Sequence, residues 1–152
     1  MADKVDVKVE GMSELLVQLA ALGVSAEDAI EKAMKPAIQE VWREAVLMCP
    51  VDEGDLRNSI NTTVEKEGNI IVGTVRTNSD HAAYVEFGTG QRGMESSSPP
   101  KAPLEAGYRV DWPGMAAQPY LFPASEIGKI TVPKRLVKNL KGQIRKAVKG
   151  SG

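Results

Sequence analysis

The chain has 152 residues, 42% apolar and 26% charged, with a net charge of −1. Those figures suit a globular chain with a real core and exclude a wholly disordered one. A single cysteine, Cys49, and a single histidine, His81, exclude an intrachain disulfide, a multi-cysteine zinc site and any His–His ligand pair.

Aromatics are only 5% of the chain, so the core is expected to consist mainly of Val, Ile, Leu, Ala and Met. No apolar run approaches the roughly 20 residues that span a bilayer. Met1-Ala2-Asp3-Lys4 is not followed by an apolar stretch, so no signal peptide and a reducing cytoplasm are expected.

In chain order, Val5, Val7 and Val9 alternate with Asp6, Lys8 and Glu10, which predicts a half-buried strand. Gly11 breaks it. Ser13 is the expected cap of a short helix carrying Leu15, Leu16, Leu19 and Leu22, with Gly23 as its stop. Ser25 opens a long helix to about Leu47, favoured by Glu27 and Asp28 in its first turn. Pro36 lies inside that pattern and is expected to bend or split it. Pro50 ends it and biases Cys49 toward an extended conformation.

Val51–Ser59 reads as a turn capped by Asp52, with one helical turn through Leu56. Ile60–Glu67 and Ile70–Thr77 are strand-like, and Gly68-Asn69 between them has the chemistry of a two-residue hairpin loop. Residues 80–87 predict a short helix capped by Asp80 and stopped by Gly88. From Gly88 to Pro119 the chain holds five Gly, five Pro and three consecutive Ser. This long loop is expected to order against a partner, with a small strand at Tyr108, Val110 and Trp112. Pro133 then suits a helix start. Val132, Leu136, Leu140, Ile144 and Val148 make one apolar stripe on a basic amphipathic helix.

The fold class expected is therefore α+β. A small antiparallel sheet with a central hairpin packs on a long helix of the N-terminal half, followed by a long loop insertion and a basic amphipathic helix. The expected division is one α+β domain over residues 1–128, including the extended loop at 88–119, and a basic helix and tail over 129–152.

Charge is segregated. Residues 126–152 carry eight Lys/Arg against Glu126, a net of +7, and residues 1–125 carry a net of −8. An acidic body with a basic tail suits ring association or contact with a polyanion.

Several patterns suggest chemistry. Asp52, Glu53 and Asp55 cluster, but capping and turn structure account for them better than a metal, because the spacing is not that of a calcium loop. His81 has no orienting acid or oxyanion signature that would make it a base for Ser59 or Ser79. Gly88-Thr89-Gly90 with Gly93 lacks the Gly-Lys-Ser/Thr ending of a phosphate loop. Cys49 stands at a helix C-terminus, which disfavours thiolate. The basic helix has no aromatic residue on its charged face for base stacking. No catalytic residue, metal, cofactor, small-molecule substrate or membrane partner is expected.

Three segments, PVDEGDLRNSI (50–60), AAYVEFGT (82–89) and QPYLFPA (118–124), occur in an order that resembles the neck or tail-completion (head–tail joining) proteins of long-tailed phages and prophages. Pro50, Asp52, Gly54, Leu56 and Ser59 match the family's first run. Tyr84, Glu86, Phe87, Gly88 and Thr89 match the second, and Pro119, Leu121, Pro123 and Ala124 the third. The likeness covers about residues 5–126. Residues 90–117 and 129–152 depart from the pattern.

The resemblance implies an α+β fold without catalysis. It also implies a virion role, assembled in the host cytoplasm, as a homo-oligomeric and often sixfold ring. Such a ring joins the capsid connector to tail proteins and leaves a channel for transient passage of genomic DNA. In that role Asp52 caps a turn that Gly54 permits, and Tyr84 and Phe87 anchor their short helix on the sheet. The expected contact residues are Arg92, Tyr108 and Trp112 in the loop, and Lys134, Lys138, Lys141 and Arg145 on the basic helix. A channel-lining helix is disfavoured because tight phosphate contacts retard a moving genome. The alternatives are a tail terminator or minor tail protein and, from another class, a DNA-binding accessory protein using the basic helix.

Overall fold

Glycine punctuates the first elements. Helix α1 (Met12–Ala21) ends with Leu22 as C-cap, and Gly23 follows with φ +84°. The Gly23 N–H reaches the Ala20 carbonyl and the Val24 N–H reaches the Leu19 carbonyl, the paired bonds of a Schellman ending. At the other end Gly11, with φ +78°, takes the N-cap position, so Ser13 lies within the helix and does not cap it.

The computed structural model describes residues 11–51, 54–68, 70–97 and 108–150. The strand expected at Val5–Glu10 lies outside them, as do Asp52, Glu53 and Asn69.

Helix α2 (Ala26–Met48) spans 23 residues. The Ser25 hydroxyl accepts the Asp28 N–H at 3.3 Å, as expected of its cap. Pro36 does not split the helix. It stands on the exposed face, where a missing N–H costs one bond, while buried Ala33, Ala37 and Ile38 hold the same turns by packing.

Helix α3 (Asp55–Ser59) follows, then strands β1 (Ile60–Glu67) and β2 (Ile70–Thr77). The two strands form an antiparallel hairpin at the expected positions. Gly68, with φ +62°, supplies the left-handed residue that such a tight loop needs.

Helix α4 (Ala82–Phe87) starts two residues later than expected, with His81 at its N-cap. Asp80 is not the cap. Ser79 makes the local bonds instead: its hydroxyl accepts the His81 N–H and its carbonyl accepts the Ala82 N–H. Gly88 ends the helix at φ +75°.

Three expectations for the later chain are corrected. The described parts of the 88–119 stretch fold on this chain itself, with helix α5 (Gly90–Glu95) inside them. Residues 108–112 form bends and turns in place of the small strand. The last helix, α6 (Leu121–Gly150), runs 30 residues and starts twelve residues before Pro133, which sits inside it. The earlier start comes from a cap supplied by a distant side chain, described below.

These elements fall into two compact units. The first contains the chain up to Val41, Thr62–Thr74 and the chain from Ile127 on. Its core is Leu15, Leu19, Ala29, Ala33, Ala37, Leu136 and Leu140. Alanines at every fourth position of α2 leave room for α6 to approach closely. At Gly128 a Cβ would stand 3.0 Å from Val41 Cγ2. The Asn139 and Gln143 amides donate to the carbonyls of Ala33 and Ala29, each at 2.9 Å. Arg135 Nε donates to Glu40 at 2.9 Å. The hairpin lies on the same stretch of α2. Gln39 donates to the Thr62 hydroxyl at 3.0 Å, and a Cβ at Gly73 would stand 3.1 Å from Met34 Sδ.

The second unit contains Trp42–Asn61 and Val75–Glu126. Here Trp42 Nε1 donates to the Ile60 carbonyl at 2.8 Å, fixing the end of α2 against the start of β1. Cys49, Ile60, Tyr120 and Ala124 are buried in it.

Candidate functional site

The three motif segments meet in the second unit, and the centre of the meeting is Glu86. This carboxylate is 5% exposed, the one buried charged side chain among the described residues. It accepts the backbone N–H groups of Tyr120 (2.8 Å), Leu121 (2.9 Å) and Phe122 (2.7 Å). These are the unpaired donors that begin α6. A negative charge there satisfies them and opposes the positive end of the helix dipole. The Gln118 N–H adds a bond to the Val85 carbonyl at 2.8 Å. The second motif thus builds the start of the third.

The first motif reaches the same region. Arg57 Nη2 donates to the Cys49 carbonyl at 3.1 Å. Burial pushes the Cys49 thiol up, an effect opposed by Arg57 and reinforced by Glu86. Burial, with the charge of Glu86 and the neighbouring Cys49, drives the Tyr120 phenol far above its usual range. Neither Tyr120 Oη nor Arg57 Nε has a hydrogen-bond partner among the described residues.

The other motif residues are also used internally. Gly54, with φ +72°, is the N-cap of α3, and its carbonyl accepts the Asn58 N–H. The Leu56 carbonyl accepts the Ser59 hydroxyl at 2.6 Å, and Ser59 also pairs with the Thr77 hydroxyl at the end of β2. Pro50, Leu56, Pro119 and Leu121 are half-buried. The Asp52 cap lies outside the described residues.

Thr89 and Met115 exchange backbone bonds at 2.8 and 3.0 Å. Glycine is required at this crossing. A Cβ on Gly88 would stand 2.6 Å from the Met115 carbonyl oxygen, and one on Gly90 would stand 2.6 Å from that of Trp112. The Gly88, Gly90 and Gly93 spacing that superficially suggests a phosphate loop therefore serves close backbone packing.

Tyr84, expected to anchor α4 on the sheet, is 58% exposed, whereas Phe87 is half-buried. Tyr108 turns inward in part. Its hydroxyl donates to the Phe87 carbonyl at 2.8 Å, its ring lies against Gly93, and burial raises its phenol pKa. Arg92 is exposed, and Trp112 is 46% exposed. Lys134, Lys138, Lys141 and Arg145 are exposed on α6 in the first unit.

No hydrogen bond joins the His81 ring to Ser59 or Ser79 among the described residues. Those residues hold no group of three or more His, Cys, Asp or Glu placed for a metal, and none of their helices is long and apolar enough to cross a membrane.

Sequence reasoning matched Glu86 to a motif but missed its task, and it missed Arg57 and Tyr120 altogether. One signal was present: Glu86 is the lone charge in AAYVEF, and a charge on an otherwise apolar helix needs a buried partner.

The arrangement is a structural clamp. Its motif residues cap, turn and pack, and they leave the loop surface and the α6 cations exposed. No curated protein and no solved structure matches the chain. The family model described as "Bacteriophage HK97-gp10, putative tail-component" matches residues 13–88, from α1 through the Gly88 that ends α4. The chain therefore belongs to the HK97-gp10-like family of bacteriophage tail components.

Proposed function

We propose that this tail component is a non-enzymatic neck protein that joins the capsid connector to the tail. It acts as one subunit of a homo-oligomeric ring, sixfold in its simplest form, around an axial DNA channel. The observation that carries the reading is an apolar surface on the second unit. Val110 is 65% exposed and Trp112 46% exposed, and Met94 and Met115 are also exposed. They lie on segments tied together by the bonds from Gln91 N–H to the Trp112 carbonyl and from the Gln91 amide to the Val110 carbonyl. Exposed Trp and Met on a hydrogen-bonded scaffold suit a protein–protein contact.

Negative-stain imaging of particles made without this chain tests the reading. Separate full heads and finished tails support joining. Tails of uncontrolled length identify a terminator instead. Absence of the chain from purified virions overturns the proposal.

A further inference from the structure

We infer that the exposed face of α6 is a sequence-independent contact for the phosphate backbone of duplex DNA. The inference deepens the neck reading, and it rests on that reading for the genome as the natural duplex. Lys134, Lys138, Lys141, Arg145 and Lys149 are all exposed. At 3.6 residues per turn they fall within about 80° of one another around the helix, and they span about 22 Å along its axis. None of the five forms an ion pair among the described residues, whereas Arg135, on the adjoining face, is held by Glu40. Among the described residues no carboxylate neutralises this row, and it presents its charge outward.

The choice of partner follows from the rest of the helix. An anionic membrane requires the apolar face of a basic helix to insert between lipids. In α6 that face is occupied: Leu136 is 4% exposed and Leu140 is fully buried, both in the core of the first unit. A protein interface requires apolar or aromatic anchors and is depleted in lysine, and this row has four lysines and no aromatic residue. Single-strand binding by base stacking lacks its ring platform for the same reason. A regular array of phosphates needs only a matching array of cations. Lysine, a point charge on a flexible stem, makes the weak and salt-sensitive phosphate contacts that let a protein slide along DNA. That removes the objection that such a row must hold back a moving genome.

The test is fluorescence anisotropy of the whole 152-residue chain with a labelled duplex of random sequence, titrated from about 50 to 200 mM salt. The comparison is a variant carrying Lys134→Ala, Lys138→Ala, Lys141→Ala and Arg145→Ala. The wild-type protein binds, and its log affinity falls with log salt by about 0.9 per phosphate contacted. The variant loses up to about 3.6 from that slope, about 0.9 for each of four contacts, and binds at least tenfold more weakly at the lowest salt, with an unchanged unfolding midpoint. A second variant, Arg145→Lys, retains binding. No wild-type binding at the lowest salt overturns the inference, as does an unchanged slope in the fourfold variant. Binding only to anionic vesicles, or self-association lost in the variant without DNA binding, overturns it as well. Mass spectrometry of purified virions keeps the two readings apart. A chain that is in the particle but does not bind DNA sinks only this inference, and a chain absent from the particle sinks the neck reading.

Discussion

Glu86 and Leu121 stand 35 positions apart, and the carboxylate of one accepts the backbone N–H of the other at 2.9 Å. With the neighbouring bonds to Tyr120 and Phe122, this contact sets where the last helix begins. Replacing Glu86 by Ala leaves three helix-terminal donors without that acceptor. We expect a loss of at least about 2 kcal/mol, since each lost cap costs about 1 kcal/mol. Glu86→Gln keeps one acceptor oxygen and should lose less. Urea midpoints for the two variants check both the size and the order, and equal stability of wild type and Glu86→Ala contradicts the role.

Glycine substitutions should separate by steric surroundings. A Cβ on Gly114 would run into the Thr89 carbonyl, and Gly114 also has φ +65°. Gly114→Ala is expected to cost about 3 kcal/mol or more. Gly68 has φ +62° with nothing within 4 Å, so Gly68→Ala should cost only about 1 kcal/mol. Gly142 lies in α6 with open space around it, and Gly142→Ala should stabilise by about 0.5–1 kcal/mol. Thermal unfolding of the three variants gives the ranking directly.

Tyr120 makes stability sensitive to alkali. Its folded pKa is raised, so the native state favours the neutral phenol. That contribution is complete below the ordinary tyrosine value of about 10 and is lost as pH rises from there toward the folded value. Tyr108 is shifted in the same direction. Because the Tyr120 hydroxyl is buried without a partner among the described residues, Tyr120→Phe should gain roughly 1 kcal/mol at neutral pH. It should also flatten most of the decline above about pH 10. A wild-type midpoint that does not change between neutral and strongly alkaline pH would count against this account.

Cys49 should be inert in the folded protein. It is 2% exposed and its pKa is raised by burial, so both access and thiolate fraction are low. Iodoacetamide at about pH 8 is expected to label it at least tenfold more slowly than the urea-unfolded chain. Equal rates would place the thiol at the surface.

Trp112→Ala tests the proposed contact surface. At 46% exposure the change should alter stability by less than about 0.5 kcal/mol, while reducing incorporation into particles in a complementation assay. Normal incorporation rules out this side chain as an anchor.

Local chemistry was legible in the sequence wherever the relevant bonds are short-range. The hairpin over Ile60–Thr77, the stops at Gly23 and Gly88, the Ser25 cap and the α+β class all follow from periodicity, backbone freedom or bonds a few positions apart. Such interactions are written in consecutive residues, and no distant partner has to be known. What only the tertiary structure decided involves residues 15 to 36 positions apart. The Glu86 carboxylate moved the start of α6 ahead of Pro133. The Thr89–Met115 bonds tie together the described parts of a stretch whose composition suggested a partner-dependent loop. A hydrogen bond to the Phe87 carbonyl and close approach to Gly93 turned Tyr108 partly inward while Tyr84 stayed outside. A buried carboxylate and a close backbone crossing gain their stability from groups that only the folded chain brings within 3 Å, and no local pattern encodes that meeting.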